Sequence, residues 1–191
     1  MLEDKDFLDF CRGKNLGEGT PGYTNITDMQ QYLLMLFSFC IAIPSCQVLE
    51  IGTHDGTSTL AFLKGVSEVN GLVRSVDIDP CNPAHTLIEK YGLNQWWKFF
   101  HFNSRDIFKI FKEEFGKIID ILLIDGDHTK DGALFDLKNY PELVKDSGLI
   151  LFHDSNMDGP KQALEEFLKE NNFYNVILPF SSAMTIMRKT R

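Results

Sequence analysis

Hydrophobic and polar positions along the chain fall into two alternating kinds of segment. Short, β-branched apolar runs occupy residues 47–51, 72–76, 97–102, 118–124 and 149–152. Amphipathic stretches of helical length occupy 58–64, 83–91, 105–115, 132–143 and 160–170. Near-continuous apolar strands separated by such helices make a parallel sheet covered on both faces. Two further runs, 174–178 and 183–187, are joined only by Pro179, Phe180, Ser181 and Ser182. Four residues cannot hold a crossover helix, so these runs pair as an antiparallel hairpin. The expectation is an α/β fold with a mostly parallel seven-stranded sheet, helices on both faces and a C-terminal hairpin. Helix ends are also marked. Asp28 or Thr27 suits the cap of the helix running into Phe39, with Pro44 beyond its end, and Ser104 suits the cap of the helix from Arg105. Pro160 fits a first helical turn. Phe108, Phe111 and Phe115 have the spacing of a buried helix face. Trp96 and Trp97 read as core or as a wall beside a ligand.

In an open parallel sheet, ligands bind beyond the carboxyl ends of the strands. After the first run come Gly52, Thr53, His54, Gly56 and Ser58, where glycine lets the backbone approach a ligand closely. His54 stands where a dinucleotide fingerprint has its second glycine, which weakens pyrophosphate cradling. Glu50, just before the turn, suits a cationic group such as an ammonium. Asp77 ends the second run, placed to accept from two ribose hydroxyls; Asp79 is a turn residue before Pro80. Asn103, Ser104 and Arg105 follow the third run. Asp125, Asp127, His128 and Lys130 follow the fourth, and His153 and Asp154 the fifth. Five successive strands thus end in small, acidic or imidazole side chains.

The segments from Val48 to Ser58, Ser75 to Asp79, Leu123 to His128 and Gly148 to Asp154 resemble class I S-adenosylmethionine-dependent methyltransferases, whose fold is Rossmann-like. The similarity runs from about Gln47 to Lys169 and is nearest to the small-molecule O-methyltransferases of the catechol O-methyltransferase-like and cephalosporin hydroxylase-like groups. It implies that Glu50 and the Gly52–Gly56 turn hold the methionine end of the cofactor and Asp77 its ribose. Ser104 would lie against the adenine with Asn103 or Arg105 beside it, and Asp127 and His128 near the transferring methyl. In metal-dependent members a divalent cation is held by an acid after the fourth strand and two adjacent residues after the fifth, which correspond to Asp125, His153 and Asp154. The usual pair is Asp-Asn, so His-Asp is a departure, yet two carboxylates and an imidazole suit Mg²⁺, Mn²⁺ or Fe²⁺. The alternative is a metal-free pocket in which His153 is the base and Asp154 orients it. His128, His153 or Lys130 would accept the proton of a hydroxylated acceptor such as a sugar, polyol or phenol. The Asn/Asp-Pro-Pro-Tyr signature of N-methylation is absent. A nicotinamide-dependent oxidoreductase and a non-catalytic protein retaining the pocket are the competing readings.

Composition narrows the partners. With 191 residues, 43% hydrophobic and sixteen of them Phe, the chain suits one domain with a real core. That domain is expected to be a cofactor-binding core over 46–191 preceded by a helical appendage over 1–45. Pro21, Gly22 and Tyr23 mark a loop placed to act as a lid. A net charge of −8 disfavours a nucleic-acid partner. Four cysteines without a C-x-x-C pair read as reduced thiols. The acidic start is unlike a signal peptide, and the longest apolar run, Tyr32 to Pro44, is shorter than the roughly 20 residues of a spanning helix. A cytoplasmic protein with no membrane contact is expected, with a homo-oligomer compatible with the sequence.

Overall fold

Every residue of strand Ile119–Ile124 is buried, and its side chains divide between two layers. Ile121 and Leu123 enter one apolar cluster, Leu122 and Ile124 the other, as the two-residue period of a strand requires. This computed structural model describes residues 5–12 and 28–189. Its sheet comprises β1 (Gln47–Ile51), β2 (Leu72–Asp77), β3 (Trp97–His101), β4 (Ile119–Ile124), β5 (Val144–Phe152), β6 (Phe173–Leu178) and β7 (Met184–Lys189), in the order β3-β2-β1-β4-β5-β7-β6. Strands β1 to β5 are parallel, and β7 runs antiparallel to both β5 and β6. The α/β architecture and terminal hairpin are therefore those expected. Strand β5 begins earlier than its pattern suggested, because Lys145 to Ser147 are half-buried or exposed and the β4–β5 register shifts between Ile119 and Ile121.

Helices α1 (Lys5–Cys11), α2 (Leu33–Ile41), α3 (Thr57–Glu68) and α4 (Asn82–Lys90) contribute to one cluster, and α5 (Ser104–Phe115), α6 (Lys130–Asn139) and α7 (Asp158–Glu170) to the other. Phe108 and Phe111 are buried in the second, with Phe115 packed against it. Trp96 and Trp97 pack on the first cluster, and Trp97 Nε1 donates to Ser75 Oγ at 3.0 Å. In the N-terminal region, Phe7, Phe10, Leu33, Leu36 and Phe37 are buried in that same cluster. Pro21, Gly22, Tyr23 and Thr27 lie outside the described residues. Among the described residues no helix is long and apolar enough to cross a membrane.

Two capping assignments are corrected. Asn103, not Ser104, caps α5, its Oδ1 accepting from the Arg105 amide at 2.9 Å; Ser104 is the first helical residue. Asp28 opens a 3-10 turn, Asp28–Tyr32, and α2 begins only at Leu33 with no side-chain cap. The Asp28 carboxylate instead accepts from the Ser182 hydroxyl at 2.9 Å.

The chain steps outward from β1 through β2 to β3, then returns to add β4 and β5 on the other side. This reversal leaves a crevice at the carboxyl ends of β1 and β4.

Candidate functional site

A cavity of about 680 Å³ occupies that crevice, within the size range of small-molecule sites. One end is built from main chain. Gly52 has φ +91°, and a Cβ there would collide with the Asp125 carbonyl. The turn thus needs glycine both for its dihedral and for the close approach of two strands. Asp77 Oδ2 accepts from the amides of Thr53 (2.7 Å) and His54 (3.0 Å), and Oδ1 from Asp79 (2.9 Å). Burial pushes the Asp77 carboxyl up, but the amides of His54, Asp79 and Thr53 and the Cys81 thiol outweigh it and hold the group below its ordinary range. Asp77 faces the cavity and also ties the glycine turn to β2.

The structure sets several expected cofactor residues behind the wall. Glu50 is fully buried and accepts from the hydroxyls of Ser58 (2.7 Å), Thr59 (2.7 Å) and Ser75 (2.6 Å). Burial pushes its carboxyl up to about 7, with the three hydroxyls pulling the other way and the Asp125 charge adding to the rise. Glu50 and Ser58 therefore satisfy one another inside the fold, contrary to the expectation that they touch the ligand. Thr53 and Gly56 also lie off the cavity lining; Gly56, at φ +84°, sets the start of α3 against Ala84. Gly52, His54, Asp77, Asn103, Ser104, Asp125, Asp127 and His128 do line the cavity.

Two apolar side chains complete this end. Ile78 and Phe102 are 65% and 52% exposed, and both line the cavity. Sequence reasoning passed over them: Ile78 is an apolar residue in an otherwise polar loop, and Phe102 falls within the run 97–102, whereas β3 ends at His101. Nearby, Arg105 pairs with Asp131 at 2.7 Å and lies over the Phe135 ring. The Ser104 carbonyl accepts from Tyr140 Oη at 2.7 Å.

The opposite end is built from side chains. His153 Nδ1 lies 3.0 Å from Asp125 Oδ1 and 3.5 Å from Asp154 Oδ2. His128 Nε2 lies 3.1 Å from Asp154 Oδ2 and 3.8 Å from Asp125 Oδ1. Burial alone would lower the His153 pKa, but the carboxylates of Asp125 and Asp154 overcome it and carry the imidazole up to about 10. Asp125, followed by Asp154, also raises His128 against its own partial burial. For Asp154, burial works upward and His153, Ser182 and His128 prevail, leaving the carboxyl below its ordinary value. Asp154 has φ +52°, a left-handed backbone that costs a non-glycine residue energy and recurs at functional sites. Asp127 Oδ1 accepts from the Thr129 amide at 2.8 Å, which fixes the loop before α6.

Lys130 does not join this cluster. Its Nζ pairs with Glu166 on α7 at 2.7 Å, because the first turn of α6 faces α7. The expected cation set of Asp125, His153 and Asp154 is also rearranged, since Asp125 and His153 bond directly to each other. Among the described residues, two other groupings bring one donor atom from each residue within 4.8 Å of the others: Asp125, His128 and Asp154, and Asp28, His153 and Asp154. Asp28 reaches the cavity from the N-terminal region. Beside it, Tyr32 sets its ring edge-on to His153 at 5.8 Å and to Phe180 at 5.5 Å.

A cavity at the sheet's switch point, with a glycine turn and a strand-ending acid, invites comparison with known proteins. Residues 49–155, over half the chain, match the family model described as a methyltransferase domain. The chain belongs to that family. Its sheet is that of the class I methyltransferases, and solved structures agree in fold. The methyltransferase PaMTH1 of Podospora anserina, solved with S-adenosylhomocysteine, superposes with a TM-score of 0.70 at 20% identity, covering 98% of this chain and 88% of that one. The Bacillus cereus O-methyltransferase in complex with S-adenosylhomocysteine gives 0.71 at 18%, covering 95% and 88%. TomG of Streptomyces achromogenes, an O-methyltransferase of tomaymycin synthesis bound to S-adenosylmethionine, gives 0.73 at 11%, covering 98% and 91%. No curated relative matches this methyltransferase in sequence.

Proposed function

We propose that this methyltransferase moves the methyl group of S-adenosylmethionine to a hydroxyl oxygen of a small molecule such as a sugar, polyol or phenol. The observation that carries the reading is a single cavity joining the glycine turn and Asp77 to an imidazole–carboxylate cluster at its other end. In this reading adenine lies between Ile78 and Phe102, and the ribose lies at Asp77. The methionine chain runs past Gly52 toward Asp127. The acids at the far end favour the sulfonium charge.

Transfer forms a carbon–oxygen bond as the carbon–sulfur bond breaks, and its electron pair stays on sulfur, leaving S-adenosylhomocysteine. Holding two reactants in line supplies most of the acceleration. The acceptor proton passes to His128, which is half-exposed on the wall. Asp154 and Asp125 stabilise the imidazolium that results. A divalent cation belongs to the same reading, and the buried nitrogen and oxygen left without partners on His153 and Asp154 suit it chemically. When bound, it would lower the pKa of the acceptor hydroxyl.

The test is calorimetric titration of the full chain with S-adenosylhomocysteine and, separately, NAD, followed by mass spectrometry of products from labelled S-adenosylmethionine and a panel of hydroxylated metabolites. Binding of S-adenosylhomocysteine and an O-methylated product are expected. Binding of NAD alone overturns the reading, and cofactor binding with no transfer to any hydroxyl favours a non-catalytic role.

A further inference from the structure

His153 Nε2 and Asp154 Oδ1 are buried and have no hydrogen-bond partner. Their side chains are 1% and 5% exposed, so water does not readily replace a missing partner. A buried polar atom left unpaired is destabilising, and here two occur on adjacent residues. The other polar atoms of both side chains are engaged. His153 Nδ1 faces Asp125 Oδ1 at 3.0 Å, and Asp154 Oδ2 faces His128 Nε2 at 3.1 Å.

That division of labour has a chemical meaning. Histidines that ligate metals usually present one ring nitrogen to the ion and donate the other N–H to a carboxylate, which fixes tautomer and ring orientation. Asp125 stands in the carboxylate position, and the Tyr32 ring packs edge-on against the same imidazole, leaving Nε2 as the available donor. The third donor comes from a part of the chain that the motifs after the strands do not include. Asp28, in the 3-10 turn before α2, brings a carboxylate oxygen to within 4.8 Å of donor atoms on both His153 and Asp154. It is held there by the Ser182 hydroxyl at 2.9 Å.

We propose that Asp28, His153 and Asp154 bind a divalent transition-metal cation, with Asp125 orienting His153 rather than ligating. Two carboxylates offset the dication's charge, and the imidazole favours Mn²⁺ or Fe²⁺ over Ca²⁺. The N-terminal region then supplies part of the metal centre, and the ion joins it to β5 and the hairpin. The proposal rests on the methyltransferase reading only for its setting, because binding can be measured without cofactor or acceptor.

The experiment titrates the full apo chain with Mn²⁺ and reads the free ion by electron paramagnetic resonance. The expected result is one bound ion per chain, showing coupling to an imidazole nitrogen that His153→Gln removes. Asp28→Asn weakens binding by roughly tenfold or more, a larger loss than in His128→Gln, which dismantles the competing Asp125–His128–Asp154 group and removes the partner of Asp154 Oδ2. Wild-type affinity in Asp28→Asn overturns the proposal, as does absence of binding at millimolar Mn²⁺, or a loss in His128→Gln larger than that in Asp28→Asn. Should Asp28→Asn fail to fold, the wild type answers alone. Fe²⁺ with ascorbate and peroxide is expected to cut the backbone near residue 28 as well as near 153–154, and cuts confined to 125–128 and 153–154 overturn the proposal. A chain that binds S-adenosylhomocysteine but not Mn²⁺ loses this proposal and keeps the methyltransferase reading.

Discussion

The two ends of the cavity are held in opposite ways. At the glycine-turn end, the Asp77 carboxylate accepts from three backbone amides, and Glu50 behind it from three hydroxyls. Both carboxylates there are paired before any ligand arrives, although the buried hydroxyls of Thr53 and Thr57 are not. At the imidazole end, side chains hold side chains, Asp154 sits at a strained dihedral, and two buried atoms are left without partners. A paired, main-chain end suits a ligand that is always the same, whereas an under-paired end suits reactants and ions that come and go. Preorganisation and reactivity are thus divided along one cavity.

Substitutions can break this comparison. The largest effect is expected from His128→Gln, which removes the proposed proton acceptor from the under-paired end. Turnover should fall about 10²–10⁴-fold while calorimetry finds S-adenosylhomocysteine affinity changed by no more than roughly threefold. Equal losses in both would show that the two ends are not separable. Gly52→Ala attacks the other end. The left-handed dihedral and the collision with the Asp125 carbonyl should together cost about 2–5 kcal/mol, read as a lower melting temperature and weakened cofactor binding. A variant with wild-type melting and affinity would remove the case for a backbone-built site.

Glu50→Gln sharpens the comparison through pH. The buried Glu50 carboxyl is carried up to about 7, so the folded chain keeps this proton to higher pH than the unfolded chain. Its contribution to stability is full at acid pH and declines as pH rises from the ordinary carboxyl range to about 7. The melting temperature of the wild type minus that of Glu50→Gln should therefore fall across that window and then level. At this chain length each kcal/mol corresponds to roughly 2–4 °C; a constant difference would place the proton elsewhere. The smallest effect is expected from Lys130→Ala. Its pair with Glu166 is exposed and screened by solvent, and kinetic assays should find turnover near wild type. A large loss would bring Lys130 back into the site.

These effects follow a boundary in what the sequence could disclose. Strand period and helix length were readable because they depend on neighbours a few residues away, and the five strand-ending clusters located the crevice. Orientation was not. Nothing local to Glu50 says that its side chain meets Ser58, Thr59 and Ser75 instead of a ligand, since this depends on which side of the pleat the next helix covers. Lys130 stands beside His128 in sequence, yet the helix it opens turns it to Glu166. Asn103 and Ser104 are both competent caps, and the β3–α5 turn geometry chose the first. Asp28 lies far from every recognisable motif, and only the docking of its turn on the hairpin loop brings it to His153. Ile78 was within reach, had apolar residues in loops been given the weight of acidic ones, whereas Phe102 was hidden in the run 97–102, which the structure ends one residue earlier.

The hydrogen bond from Tyr32 to the Ser182 carbonyl, 2.6 Å long, spans 150 positions of sequence, and that from Ser182 to Asp28 spans 154. During synthesis, contacts so distant along the chain can close only once the C-terminal residues have been added. A nascent chain emerging to just past β5 already contains Gly52, Asp77, Asp125, His153 and Asp154, so the cofactor half can assemble during synthesis. The wall around His153 must wait for β7 to slot between β5 and β6. In this enzyme the reactive half of the cavity is therefore the last to be completed as the chain is made.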